Sequence, residues 1–392
     1  MSDFTALAEA YRRELLEDTL PFWLPRAIDS EHGGFLLMRD RDGSLIDDDK
    51  GVWTQARFTW LLGELYNSVE PRAEWLDACR HGIEFLERCA FDPADGRMWF
   101  HLTRDGRPIR KRRYAFSESF AAIAYGECAR ATGEDWAAAR ARELFERFVE
   151  HSTAPRGVEP KFTTERPLKA LGFPMIAIAT AQELRDSIDL EGADATIDRL
   201  VEEIRRDFCK PALEVVLEQV TPEGAVSEHV DGRTLNPGHA IEAAWFLMRE
   251  GALRGQEEVT ALGVRMLDWM WERGWDEEHG GLLYFVDLHG GPPQEYWSDM
   301  KFWWPHNEAE IACLYAFSAT GEERFLERHA AVRDWSRAHF ADPEHGEWFG
   351  YLRRDGSVAN TAKGNLWKSP FHLPRMQLEC WRLCEVLAGG KG

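Results

Sequence analysis

Asp342-Pro343-Glu344-His345-Gly346-Glu347-Trp348-Phe349-Gly350-Tyr351-Leu352-Arg353-Arg354-Asp355-Gly356 carries the repeat on which the fold rests. An aromatic and branched run that ends in Asp-Gly reads as a strand entering a tight turn, a hairpin or extended excursion. The same punctuation occurs as Asp29-x-x-x-Gly33 with Asp42-Gly43, Asp92-x-x-x-Gly96 with Asp105-Gly106, and Asp276-x-x-x-Gly280 with His289-Gly290. In each copy the closing dipeptide falls 13 and 14 residues after the opening Asp. The copies begin at 29, 92, 276 and 342, so the intervals are 63, 184 and 66, and 184 is close to three times 61. Two degenerate copies are therefore expected near 154 and 219. The candidates are the segment from Arg156 to Phe162, and Pro222-Glu223-Gly224 running to Asp231-Gly232. Ala131-Thr132-Gly133-Glu134 recurs as Ala319-Thr320-Gly321-Glu322, 188 residues on, or three periods.

Between excursions the spacing is helical, as in Phe120, Ile123, Ala124 and Tyr125, or Ile311, Leu314 and Tyr315. Each period has room for two helices plus the excursion, and six units account for the chain. A helix pair cannot bury its apolar face alone, so the pairs stack as an open superhelix or a closed ring. No terminal unit looks like a polar cap, which favours closure. The expected fold is all-α, an (α/α)6 barrel with short β-hairpin excursions, forming a single domain over 1–392. Its pocket lies at the mouth where the excursions gather.

Composition narrows the function. Lys plus Arg is 47 and Asp plus Glu is 68, a net charge of −21, which repels phosphate backbones and anionic headgroups. Neither nucleic acid nor a membrane surface is expected as a partner, and the run Arg110-Lys111-Arg112-Arg113 reads as local loop charge. Hydrophobic residues at 44% allow a sizeable core. The seven cysteines form no Cys-x-x-Cys pair, and the opening Met1-Ser2-Asp3-Phe4 is acidic where a signal peptide is basic. A soluble cytoplasmic protein is expected. The 17 tryptophans are unusual.

Candidate chemistry lies at helix starts. Asn236-Pro237-Gly238-His239-Ala240-Ile241-Glu242 opens a helix in which His239 and Glu242, at i and i+3, share a face. An imidazole oriented by a carboxylate suits a base near neutral pH. An N-terminal ion pair is the plain alternative, and metal ligation would need further ligands that no telling spacing supplies, so no metal is expected. His372, in Phe371-His372-Leu373-Pro374-Arg375, is 133 residues from His239, about two periods, and so lies across a ring from it. Two bases facing across a pocket suit inversion of a carbon beside a carbonyl. One removes a proton from one face, an acid returns one to the other, and the enediolate needs a fixed cation or donor. Arg57, in Trp53-x-Gln55-x-Arg57, and Arg375 are candidates. Trp303-Trp304 with Glu308, Phe116-Ser117-Glu118, and Trp367 add indole faces and carboxylates of the kind that line a sugar pocket. For any single Trp, ordinary core packing is the commoner role. Glu118 with Glu308 is the evident carboxylate pair for a rival reading, glycoside hydrolysis.

At these residues the sequence resembles the N-acylglucosamine 2-epimerase (renin-binding protein) family. The resemblance rests on Asn236-Pro237-Gly238-His239-x-x-Glu242-Ala243, Lys301-x-Trp303-Trp304-Pro305-His306-x-Glu308-Ala309, Gly346 to Leu352 and Phe371-His372-x-Pro374-Arg375. Thr103-Arg104-Asp105-Gly106-Arg107-Pro108 and Phe116-Ser117-Glu118 also match, so it spans about residues 50 to 380. It implies the (α/α)6 barrel and interconversion of N-acetylglucosamine and N-acetylmannosamine by proton transfer at C2 of the ring-opened sugar. It implies His239 and His372 as the catalytic pair, Glu242 as the partner glutamate and Arg57 as the substrate-binding arginine. Relatives acting on unacylated sugars often carry a histidine where Leu171-Gly172-Phe173-Pro174-Met175-Ile176 stands. Its absence favours the acylhexosamine branch, with Met175 against the acetyl methyl. The alternative is an aldose–ketose isomerase or 2-epimerase of free mannose or glucose. No cofactor is expected in the chemistry. Several members take ATP as an allosteric activator without consuming it, although Lys363-Gly364-Asn365 is too short for a Walker-type loop. Family members are often homodimers.

Overall fold

Each repeat drives its chain into an excursion and then into a helix whose sides are nearly all apolar. The computed structural model describes residues 3–153 and 161–389. Its helices are α1 (Phe4–Arg13), α2 (Leu20–Ala27), α3 (Val52–Ser68), α4 (Ala73–Cys89), α5 (Phe116–Thr132), α6 (Asp135–Thr153) and α7 (Gly172–Ile188). There follow α8 (Ala193–Glu203), α9 (Val230–Arg233), α10 (Pro237–Arg254), α11 (Glu257–Gly274), α12 (Trp303–Thr320), α13 (Glu323–His339) and α14 (His372–Ala388).

Two kinds of helix alternate. In α12 every residue from Trp303 to Leu314 is buried, and α3, α5 and α10 are buried almost as completely. A helix apolar all round belongs inside. In α4 the buried set is Trp75, Ala78, Cys79, Gly82, Ile83, Phe85 and Leu86, one stripe at helical spacing, with charge on the other side. The inner helices form a succession in which α3 packs on α5, α5 on α7, α7 on α10, α10 on α12 and α12 on α14. The succession returns to its start, because Arg382 of α14 bonds Glu64 of α3 at 2.5 Å and α1 packs on α14. Among the described residues, sheets have two or three short strands, and no helix is long and apolar enough to cross a membrane.

The excursions link neighbouring units by a common device. Lys50–Gly51, which leads into α3, pairs antiparallel with His101–Leu102 of the next excursion, and Lys301–Phe302, leading into α12, pairs with Tyr351–Leu352. Asp29 is held by Lys50 (2.8 Å) of its own unit and Arg104 (3.0 Å) of the next. Asp276 is held likewise by Lys301 (2.9 Å) and Arg354 (2.8 Å). Asp342, in the last unit, takes Lys363 at 3.1 Å and Arg41, from the first unit, at 2.7 Å. The backbone agrees, since the N–H of Lys363 donates to the carbonyl of Arg39 at 2.8 Å.

The expected third copy falls largely on residues 154–160, outside the described residues. The expected fourth copy is real but out of phase. Asp231-Gly232 belongs to the short helix α9, whereas Gly224 (φ +80°) occupies the tight turn that Gly43, Gly106, Gly290 and Gly356 occupy elsewhere. Counting back 14 residues puts Lys210 at the opening Asp position and Glu214, left-handed at φ +47°, at the opening Gly position. Cys209 pairs with Val216 just as Ile28 pairs with Phe35. The geometry survived the loss of both punctuation residues.

Candidate active site

The inner helices begin at the excursion end, so their N-termini converge there. Exposed N–H groups and the positive ends of helix dipoles favour negative charge in the enclosed space. On α10, Asn236 accepts from the N–H of His239 at 3.1 Å and Pro237 takes the first helical position, where its missing N–H costs nothing. This start aims His239 and Glu242 into a cavity of about 1490 Å³. The cavity is also lined by Arg57, Trp53, Met175, Trp303, Trp304, Trp367, His372 and Arg375.

Both histidines are oriented by glutamates, though not as expected for His239. Its Nδ1 lies 3.0 Å from Glu218, which stands within the fourth excursion, while Glu242 turns to Arg375. Glu242 therefore does not orient the imidazole beside it. One turn along the helix suffices to share a face, but the guanidinium opposite is the stronger partner. His372 Nδ1 lies 2.7 Å from Glu308 Oε1. That oxygen also accepts from Arg375 at 2.7 Å, and Glu308 Oε2 accepts from Trp245 Nε1 at 2.8 Å. With Nδ1 held by a carboxylate, each imidazole offers Nε2 to the cavity. The Trp304 ring contacts both, 5.1 Å from His239 and 5.7 Å from His372 between centroids. Gly238 permits this, because a Cβ there would lie 2.7 Å from the Trp304 ring.

The two imidazoles differ in basicity. Burial pushes His372 well below the usual histidine range, reinforced by the charges of Arg375 and Arg57 and opposed by Glu242. Burial works the same way on His239, but the charge and hydrogen bond of Glu218 outweigh it and raise this histidine. Arg57 is stacked on Phe120 (3.9 Å), Phe371 (4.6 Å) and Trp53 (5.0 Å). It makes no ion pair among the described residues, its Nε is unpartnered, and burial lowers it to about 9. A buried guanidinium without a carboxylate is a ready anion partner. Glu242, Glu308 and His372 stand close enough together to hold a metal ion, but the Arg375 guanidinium already bonds both carboxylates.

Two sequence candidates do not face the cavity. Glu118 is fully buried and accepts from Arg97 Nε (2.8 Å) and from the N–H of Met98 (3.0 Å). It ties α5 to the second excursion. Glu308 lies behind His372 and Arg375 and reaches the cavity through them. Glu118 and Glu308 thus form no carboxylate pair across a shared space. Met175 is buried in the wall, and Trp53 is fixed by its Nε1 donating to the carbonyl of Leu366 at 2.7 Å. Glu218 and Trp245 were not foreseen. Trp245 sits in the apolar run that follows His239 and Glu242, and Glu218 stands in the copy whose punctuation is lost. Of the other tryptophans, Trp348 is core, and Trp335 stacks on His306.

Residues 33–373 match the family model described as N-acylglucosamine 2-epimerase (GlcNAc 2-epimerase). The chain is 38% identical over 384 residues to the N-acylglucosamine 2-epimerase of Bos taurus, covering 95% of this chain and 89% of that protein. It is 36% identical to that of Mus musculus, covering 95% and 90%. Among solved structures it resembles the cellobiose 2-epimerase from Bacillus thermoamylovorans B4167, with a TM-score of 0.83 and 20% identity over 96% of this chain and 99% of that one.

Proposed function

This chain belongs to the N-acylglucosamine 2-epimerase family, and from that premise we propose that it is an isomerase interconverting N-acetylglucosamine and N-acetylmannosamine. The observation that carries the reading is the pair of imidazoles flanking Trp304, each with its Nδ1 held by a glutamate. With the sugar ring open, C2 sits between the two Nε2 atoms. One imidazole takes the C2 proton, and the electrons of that C–H bond move into the C1 carbonyl to give an enolate that keeps the acetamido group on C2. Arg57 and the helix N-termini stabilise its oxygen. The other imidazole, protonated beforehand, delivers a proton to the opposite face.

In either direction the active form carries one proton across the pair. The raised His239 and lowered His372 favour that state near neutrality. Glu218 and Glu308 are positioning residues that fix tautomers, and Arg375 with Glu242 holds Glu308 and the pocket floor. Trp53, Trp303, Trp304, Trp367 and Met175 supply faces for sugar C–H groups and the acetyl methyl. The reaction draws on no cofactor. The (α/α)6 barrel, as a single domain, is part of this reading, and the return contacts Arg382–Glu64 and Arg41–Asp342 support it. Seven free cysteines fit a cytoplasmic setting.

The test is incubation with N-acetylglucosamine in heavy water. N-acetylmannosamine carrying deuterium at C2 is expected. Neither product nor exchange would overturn the reading, and fructose formed from mannose would move it to aldose–ketose isomerisation.

A further inference from the structure

Away from the active site, a second pocket of about 570 Å³ opens between α4, α5 and the start of α6, a volume within the range of small-molecule sites. Arg80 and Ile83 of α4, Cys128 of α5, and Glu134 and Trp136 at the start of α6 line it. Trp136 is 48% exposed, and its Nε1 donates to Glu134 at 3.0 Å. Cys128 is 1% exposed, so the pocket presents its sulfur to a small molecule and not to a large one. Among the described residues, no other cysteine lines this pocket or the active-site cavity.

A second thiol stands behind the first. Cys79 of α4 is wholly buried and hydrogen-bonded to the Cys128 sulfur. The backbone shows how the two meet. A Cβ on Gly63 of α3 would lie 3.4 Å from Cys79 Sγ and 2.8 Å from the Cβ of Glu127, the residue before Cys128. With no side chain there, α4 and α5 close over α3 and bring their thiols together. The hydrogen bond from Cys79, helped by Arg80, holds Cys128 below the usual thiol range against burial and Glu134. The same bond, with burial, holds Cys79 well above it. The thiol that faces the pocket is therefore the one that ionises first, and the thiolate is the nucleophile.

From the pocket and the paired sulfurs at its base we propose that Cys128 and Cys79 are a redox-active pair, which a small hydroperoxide oxidises to a disulfide between α4 and α5. The Cys128 thiolate attacks one oxygen of the hydroperoxide and the O–O bond breaks. The other oxygen leaves and takes up the proton that the thiol gave up, as water or an alcohol. Sulfur is thereby oxidised to a sulfenic acid and the peroxide is reduced. The Cys79 sulfur then attacks Cys128, the S–O bond breaks, and hydroxide departs with the Cys79 proton as water. Two thiols have lost two electrons and two protons, and a thiol reductant reverses the change by exchange. The cross-link anchors α5, which about two turns earlier carries Phe120, the ring on which Arg57 lies at 3.9 Å.

The experiment treats the reduced full-length protein with excess hydrogen peroxide and follows its intact mass and tryptic peptides. Wild type is expected to lose two hydrogens and to yield one peptide pair joined through Cys79 and Cys128, with dithiothreitol restoring the free thiols. In Cys79→Ala the resolving thiol is gone, so dimedone is expected to trap sulfenic acid at Cys128 at least about tenfold more than in wild type. Cys128→Ala is expected to abolish both products. The thermal midpoint of each variant checks folding, with Cys79→Ser as the second choice, and the wild-type mass decides the disulfide even where a variant fails to fold. Wild type that keeps all seven thiols after treatment overturns the proposal, as does a disulfide formed by another pair. So does dimedone labelling of Cys79 in Cys128→Ala that equals the labelling of Cys128 in Cys79→Ala.

Discussion

His372 Nδ1 stands 2.7 Å from Glu308 Oε1, on residues 64 positions apart, inside a protein where both are buried. Glu308→Gln keeps the shape but removes the acceptor charge, so the imidazole loses its fixed tautomer and Arg375 loses one of two counter-charges. A fall in kcat of about 10²- to 10⁴-fold is expected, the usual scale for a positioned base. KM should change little, because Glu308 does not line the cavity. A variant with unaltered kcat and a large rise in KM would show that Glu308 binds sugar directly.

The opposed shifts of the two histidines set the pH profile. His372 is lowered, so it is neutral and able to accept a proton throughout the range above the usual histidine value and for some distance below it. His239 is raised, so it keeps its proton to higher pH than an ordinary histidine. The singly protonated pair is therefore abundant on both sides of pH about 6.5, and kcat/KM should be a broad bell with its acid limb below that value and its alkaline limb above. Glu218→Gln removes the charge that raises His239 and should draw the alkaline limb to lower pH, leaving the acid limb in place. Movement of the acid limb alone would reverse the assignment.

The run Trp53-x-Gln55-x-Arg57 made Arg57 a candidate cation, and the structure places its guanidinium in the cavity wall against Phe120, Phe371 and Trp53. The repeat was legible for a different reason. Asp and Gly sit where the chain needs a left-handed turn and a clamp for Lys and Arg, and few residues substitute there. Where Lys210 and Glu214 do substitute, the copy vanished from the sequence and took Glu218 with it. Pairings across the fold were the least legible. His239 with Glu242 is a local pattern, but Glu218 and Arg375 come from other units, and no helical spacing records which carboxylate a neighbour will claim. Glu118 shows the converse, a carboxylate at a helix start whose partner is the adjacent excursion.

Stripped of its guanidinium, Arg57→Ala should lose about 10²- to 10³-fold in kcat, the scale of removing one oxyanion donor. Arg57→Lys should recover little, because an ammonium does not lie flat on Phe120, Phe371 and Trp53 as the guanidinium does. Full activity in the lysine variant would mean that charge alone suffices.

Glu118→Gln separates structure from chemistry. Arg97, itself buried, would lose its carboxylate, and a loss of several kcal/mol in stability is expected. At a temperature where the variant remains folded, KM for the sugar should match wild type, since the Glu118 side chain bonds Arg97 and Met98 and does not line the cavity. A KM raised tenfold would return Glu118 to the substrate.

Arg41 and Asp342 test how tightly the first and last units are joined. Asp342→Asn leaves Lys363, which has no exposed surface, short of a charge partner and should cost about 3 kcal/mol. Arg41 is 40% exposed, and Arg41→Ala should cost under about 1 kcal/mol. Arg104 makes the equivalent bond to Asp29 at an interior boundary and is 32% exposed. If the junction of first and last units equals an interior one, Arg41→Ala and Arg104→Ala shift the urea midpoint alike. Asp342 is held below the usual carboxylate range, first by Arg41 and then by Lys363 against the cost of burial. Its contribution is therefore present above the ordinary carboxyl pKa of about 3.8 and is lost only as pH falls through the depressed value. The Asp342→Asn penalty should be constant near pH 5 to 6 and shrink as pH rises toward 8, because burial has already lowered Lys363 to about 8 and losing Asp342 lowers it further. A far larger effect for Arg104 than for Arg41 would mean that the first and last units part more readily than neighbours within the chain.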